Sequence, residues 1–417
     1  MFRRFLAAIT LVCLPILARA EEWPRFRGPT GQGVSTEKSL PKKWGWNENI
    51  VWKAEIPGDG WSSPIVWGDR VFVTTATEDG QSCRILALSR VEGKQLWNLE
   101  VCRQKKTHKI DKNSYATPTP VTDGENVYAV FNDGSIAAVA VEGKPMWVNR
   151  DVKYYSQHGL GGSPILYHDI LIMSFDGSSA GEDKTIGWQK PWDQSFLLGL
   201  DKKTGKERWR ARRGLSRIAH TTPIVINADG RDTLISTAGD VIQGFDPDSG
   251  ARLWSVRAEG EGVVPSPVFG DGLVFAASGF GNPRLRAVKL KQDGEETTRK
   301  VVWETNRNVP MMPSAVFVKP YLFVVSENGF AMCLEAATGK VKWRERLGGN
   351  YSASPVAADE SIYFLSEEGE TVVVPANGKF EIIARNSLRE SCQASMAVAQ
   401  GQLFIRTQKH LFCIGSK

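Results

Sequence analysis

From Ile50 onward the chain is a succession of short apolar runs, some alternating with polar positions, each bounded by Gly, Pro, Asn or Asp. Both patterns predict strands rather than helices. The runs recur in one order: a Ser/Thr-Pro start, a strand, a Gly/Asp turn, a β-branched and aromatic strand, a second turn, a Leu-rich strand, a Gly-Lys turn, and a strand carrying one tryptophan. Eight starts can be counted, at Ser63-Pro64, Thr119-Pro120, Ser163-Pro164, Thr222-Pro223, Ser266-Pro267, Ser314-Ala315, Ser354-Pro355 and Ser395-Met396. The tryptophans are Trp52, Trp97, Trp147, Trp209, Trp254, Trp303 and Trp343.

A repeat of roughly 40 to 50 residues with four strands per unit predicts an all-β propeller, in which each unit buries its faces against its neighbours. The eighth unit has three strands before the chain ends, and Ile50 to Ile56 supplies a lone tryptophan strand before the first unit. The two fragments complete each other. The expected fold is an eight-bladed β-propeller of four-stranded antiparallel blades over residues 49–417, its ring closed by the N-terminal strand, preceded by an extended arm over 21–48. Closure removes the sheet edges that an open array exposes. The tryptophans are expected to wedge between blades, where an indole buries a large area. Glycine in the turns at Gly93, Gly143, Gly205, Gly250, Gly339 and Gly378 suits a residue with positive φ, and the fifth unit replaces that turn with a polar excursion from Lys289 to Lys300.

Residues 1–20 carry Arg3 and Arg4, an apolar core from Phe5 to Leu17 and Ala18-Arg19-Ala20, the layout of a secretory signal peptide. The expectation is an exported protein, periplasmic or secreted. No later stretch reaches the roughly 20 apolar residues of a transmembrane helix. Without residues 1–20 the chain has 49 basic against 46 acidic residues, a net +3 that argues against nucleic acid as a partner. A monomer is expected.

The unit Ser-Pro…Val-Phe-Val…Leu-Ala-Leu…Gly-Lys-x-x-Trp resembles the repeat of pyrroloquinoline-quinone-type (PQQ-like) propellers, over about residues 50 to 415. That superfamily includes quinoprotein dehydrogenases and the protein-binding propeller subunit of the outer-membrane β-barrel assembly machinery. The opening, Trp23-Pro-Arg-Phe-Arg-Gly-Pro-Thr-Gly-Gln-Gly-Val-Ser, looks like the start of a group of exported bacterial propellers. For the dehydrogenase branch the resemblance implies adjacent cysteines over the quinone, a calcium held by acidic and amide groups, and often a haem domain. The chain has no Cys-Cys pair and no Cys-x-x-Cys-His.

Segments 102–116, 151–162 and 211–219 join consecutive units and 176–194 joins middle strands, so all four are expected on one face around blades 2 to 4. Loops grouped on one rim of a rigid scaffold commonly carry function. The candidate binding residues there are His108, His158, Arg217, His220, Trp188 and Trp192, with the basic run from Arg103 to Lys109. The histidines lack local ligand spacing, so no metal site is assigned. Gly177 to Gly181 matches a hydrolase motif without the helix that chemistry needs, and Asp246 to Gly250 is a hairpin turn rather than a calcium loop. Cys83 and Cys102 flank the first hairpin, in a register that would pair Leu88 with Trp97, and are a candidate disulfide. Cys333 and Cys413 take a place where other units have a small residue, and are expected as buried thiols. The reading is an exported, non-enzymatic scaffold that binds a protein or envelope polymer through the insertion face, without a cofactor. The alternative is a PQQ-dependent oxidoreductase using calcium.

Overall fold

The computed structural model describes residues 21–105, 108–228, 230–290 and 300–415. The proposed signal peptide and most of the Lys289 to Lys300 excursion lie outside these residues. The described chain forms eight four-stranded antiparallel sheets, each with its strands in sequence order except the last. That sheet places Ile50–Glu55 beside His410–Ile414, with Trp52 opposite Cys413 and Glu55 opposite His410. The N-terminal strand therefore completes blade 8, as the repeat count requires.

The innermost strands of neighbouring blades touch around the ring, for example Ile65–Trp67 with Val121–Thr122. The Ser/Thr-Pro starts explain how they are joined. The Ser63 amide donates to the Thr119 hydroxyl at 2.9 Å, Thr119 to Ser163 at 2.9 Å and Ser163 to Thr222 at 2.9 Å. The series continues through Ser266, Ser314, Ser354 and Ser395 at 2.9 to 3.0 Å. The hydroxyls from Thr119 to Ser395 thus each accept the amide of the start before, satisfying an inner-strand donor from the neighbouring blade.

The tryptophans sit at the outer joints. Trp52, Trp97, Trp147 and Trp303 donate their indole N–H to backbone carbonyls of the next blade, at Arg90, Val141, Lys202 and Ala336. Trp209 lies against Gly250, Trp343 against Phe380 with ring centroids 5.1 Å apart, and Trp254 packs with the cluster holding Val288 and Leu290. Two positions must stay small for an indole to fit. Opposite each ring on the third strand stands Ala87, Ala138, Gly199, Gly244, Ala287, Cys333 or Cys413. For Trp52, Trp97, Trp147, Trp209 and Trp303 the hairpin glycine of the next blade touches the ring: a Cβ at Gly93, already at φ +71°, would lie 2.6 Å from Trp52.

The arm crosses the face opposite the insertions. Trp23 pairs with Val66, Arg27 donates to the carbonyls of Ala315 and Gln32, Gln32 accepts from the Phe269 amide, and Ser35 pairs with Ala357. Trp23 and Arg27 are fully buried. The arm thus spans blades 1, 5, 6 and 7 beneath the central channel and closes its lower end.

Candidate functional site

With the channel closed below, a funnel of about 510 Å³ opens on the insertion face. Phe26 of the arm contributes to its base, and all eight starting Ser and Thr residues line it. Higher on the wall stand Trp61, Ile110, Trp188, Phe280 and Met312. Three of the long insertions reach it, through Ile110 of 102–116, His158 of 151–162 and Trp188 of 176–194. Trp61, Phe280 and Met312 come from loops that carry no insertion, and sequence reasoning missed them. Exposed hydrophobics at Ile110 and Phe280 become meaningful when they converge on one recess.

The charged groups facing the funnel are already paired. Lys112 meets Glu367 at 2.9 Å, and Glu261 accepts from Arg217 at 3.1 Å. Arg217 also grips both oxygens of Asp240, at 2.7 and 2.9 Å. These acids hold its guanidinium in the charged form, with a pKa above the usual arginine value, led by the Asp240 hydrogen bond. The candidate Arg217 is therefore committed within the rim.

The imidazoles of His158 and His220 lie 5.9 Å apart, and Trp188 meets His158 edge-on at 5.7 Å. Burial, and then the neighbouring His158, lowers the His220 pKa to about 3. His158 is lowered by burial and by His108. Both rings are neutral at pH 7. His108 is exposed, beside His158 rather than in contact with His220. Among the described residues no three His, Cys, Asp or Glu side chains form a metal-holding group.

Trp192 does not join Trp188. Its backbone pairs with Ser216, and its side chain lines a second recess of about 330 Å³ on the outer flank of blade 3. The 176–194 insertion therefore separates two recesses, with one tryptophan in each.

A buried ion pair clamps the bases of two insertions. Asp176 opens the 176–194 loop, Arg213 lies in 211–219, and both side chains are fully buried. Arg213 donates to both Asp176 oxygens, to Ser236 at 2.7 Å and to Ser174 at 3.3 Å, while Gln243 donates to its carbonyl at 2.9 Å. Burial pushes the Asp176 pKa up and Arg213 pulls it down. Such a pair contributes positional definition more than net stability.

Cys83 and Cys102 stand opposite each other, both buried thiols. The expected Leu88 to Trp97 pairing is not found. Trp97 faces Ala87 and Leu88 faces Gln95, because bulges lie between Cys83 and Arg84 and between Ala87 and Leu88. A hydrogen bond with Cys102, then burial, raises the Cys83 pKa.

A protein-family model described as outer membrane protein assembly factor BamB matches residues 47–149, 193–311 and 293–380. The chain is 23% identical over 268 residues to the outer membrane protein assembly factor BamB of Bordetella pertussis, covering 61% of this chain and 60% of that protein. It is 24% identical over 235 residues to the BamB of Alkalilimnicola ehrlichii, covering 56% and 52%. The matches thus span between half and two thirds of the length of those relatives. Among solved structures, BamB from Moraxella catarrhalis is similar with a TM-score of 0.61 at 17% identity, over 88% of this chain and 97% of that one. Quinohemoprotein alcohol dehydrogenase from Comamonas testosteroni is similar with a TM-score of 0.65 at 10% identity, over 95% and 81%. At these identities the structural likenesses establish the fold, whereas the family match extends over more than half of the sequence, and the chain belongs to the PQQ-like β-propeller family of outer membrane protein assembly factor BamB.

Proposed function

We propose that this protein is an exported, monomeric scaffold that captures a segment of a protein partner in the funnel on its insertion face. The observation that carries this reading is the funnel wall. Trp61, Ile110, Trp188, Phe280 and Met312 give it aromatic and aliphatic surface above the ring of Ser and Thr hydroxyls, and the charged groups facing it are tied up in ion pairs within the protein. A recess of that kind gains affinity by desolvating apolar side chains of a partner, with a few large anchors supplying most of the energy. Relatives named as outer membrane protein assembly factors fit a role in binding other proteins, and an exported protein would meet such partners in the periplasm.

The quinone-dependent alternative finds poor support in the residues present. The facing carboxylate Glu261 is held by Arg217, and among the described residues no cluster of acidic, histidine or cysteine side chains converges to hold an ion. The described residues thus give a calcium beside a quinone little acidic support, and no step is assigned to that group.

Capture from envelope extract by immobilised protein tests the reading. Replacing Trp188 and Phe280 together with Ala should weaken capture by about 2 kcal/mol or more, the scale of an interface hot spot. Changing Lys94, Lys144, Lys206 and Lys340 to Glu on the opposite face should leave affinity nearly unchanged apart from a salt-dependent on-rate. If the lysine set abolishes capture while the aromatic pair does nothing, the partner uses the turn face.

A further inference from the structure

The recess on the flank of blade 3 is chemically unlike the funnel. Its base is an aromatic ladder: Tyr154 meets Phe175 edge-on at 5.6 Å, Phe175 stacks on Phe196 at 5.4 Å, and the Arg210 guanidinium caps Phe196 at 4.2 Å. Tyr155 and Trp192 form its upper wall. The cations are Lys153, Arg210 and Arg212, and none of the residues lining it is acidic.

Those cations are unequally engaged. Arg210 pairs with Glu207 at 2.7 Å along its own strand. Lys153 and Arg212 are exposed and form no ion pair among the described residues. Two other cations of this rim do have acidic partners, Arg217 in Asp240 and Glu261 and Lys190 in Asp183. The groove therefore combines unmatched positive charge with the half-buried rings of Tyr154, Tyr155 and Trp192. A low-dielectric aromatic base strengthens the attraction of those cations for an anion.

We infer that this groove binds an acidic, aromatic-containing stretch of polypeptide, as a second docking site beside the funnel. The carboxylates would meet Lys153 and Arg212, and an aromatic side chain would pack between Tyr155 and Trp192. The dimensions favour a polypeptide over a nucleic acid or a membrane surface. About 330 Å³ accommodates a few side chains, and those larger ligands need an extended basic face, which a net charge of +3 without residues 1–20 does not supply. Because the 176–194 insertion separates the two recesses, one partner could occupy both, and linkage would raise its effective concentration at the second site.

The probe is a synthetic peptide of alternating Glu and Phe, compared by fluorescence anisotropy with its Gln and Phe counterpart, on the whole protein. The acidic peptide should bind about tenfold tighter than the neutral one, with the difference shrinking as salt rises. Lys153→Glu with Arg212→Glu should abolish the preference, Trp192→Ala should weaken both peptides, and Trp188→Ala should change neither. Each variant is checked for an unchanged melting curve, and Lys153→Gln with Arg212→Gln at the two exposed positions provides a milder second test. Equal binding of the two peptides, or an undiminished preference in both charge variants, would overturn the proposal. Loss of binding with Trp188→Ala instead would place the acidic peptide in the funnel and equally refute the groove. The funnel reading is tested separately by partner capture, so either can fail alone.

Discussion

At five of the blade joints one indole occupies a slot made by a small residue opposite it and a hairpin glycine in the next blade, as Trp52 does between Cys413 and Gly93, so one ring constrains two further positions. The same dependence on neighbours governs the buried pair of Asp176 and Arg213. Replacing Asp176 with Ala leaves a buried guanidinium uncompensated and should cost about 3–5 kcal/mol, whereas Asp176→Leu with Arg213→Met should recover much of that loss. Urea melts of the two variants decide it, and a single variant as stable as the double would sink the clamp. Cys83 and Cys102 present a different case. Oxidation would close an 18-residue loop and should stabilise by about 3 kcal/mol in the chain-entropy model, less any strain. Peptide mapping of the non-reduced protein should find the bridge, and free alkylation of both thiols without reductant would refute it. The imidazoles set a pH dependence. Burial depresses the His220 pKa to about 3 and also lowers His158, so the unfolded chain takes up their protons first. The stability that these neutral rings contribute is present above about pH 6.5, the unfolded value, and is lost as pH falls from there toward about 3. Melting temperature followed from neutral to acid pH should fall less steeply for His220→Gln than for the natural protein; parallel curves would contradict the assignment.

Among the elements, the strand Ile50–Glu55 has the largest consequence for its length. It gives blade 8 its outer strand, and Gly93 and the Arg90 carbonyl of blade 1 receive its Trp52. Deleting residues 21–57 would expose the edge of His410–Ile414 and remove the arm from beneath the channel. The truncated protein should aggregate, oligomerise or unfold, because an unpaired strand edge recruits other chains. A monomer by light scattering with an unchanged melting temperature would argue against that role. The insertions belong to the same scale. Their placement on one face follows from counting strands, since a loop between consecutive units must emerge where the inner strand of the next blade begins. Which side of the rim each residue faces does not follow from counting. Trp188 and Trp192 are four residues apart, and the backbone bridge between Trp192 and Ser216 turns one outward while the other meets His158 at the funnel.

In the whole molecule the ring of inner-strand hydroxyls, the outer tryptophan joints and the arm act together, giving a scaffold open on one face and closed on the other. Blade number, strand order, the closing strand and the tryptophan positions were all legible in the sequence. They rest on a local repeat in which each unit contacts its neighbours, so period and turn chemistry are enough to define them. The candidate rim was legible as a region but not as a site. His158, His220 and Trp188 do meet, Arg217 is bound to Asp240 and Glu261, and Trp61, Phe280 and Met312 came from loops without any distinguishing length. The chain's own sequence thus determined the architecture, because alternation, turns and the repeated tryptophan slot act over a few residues or between adjacent blades. The funnel, the separate groove, the closing of the channel by the arm and the pairing of the rim charges were decided by the tertiary structure, because they depend on side chains brought together from several blades across the ring, where no sequence interval records the distance.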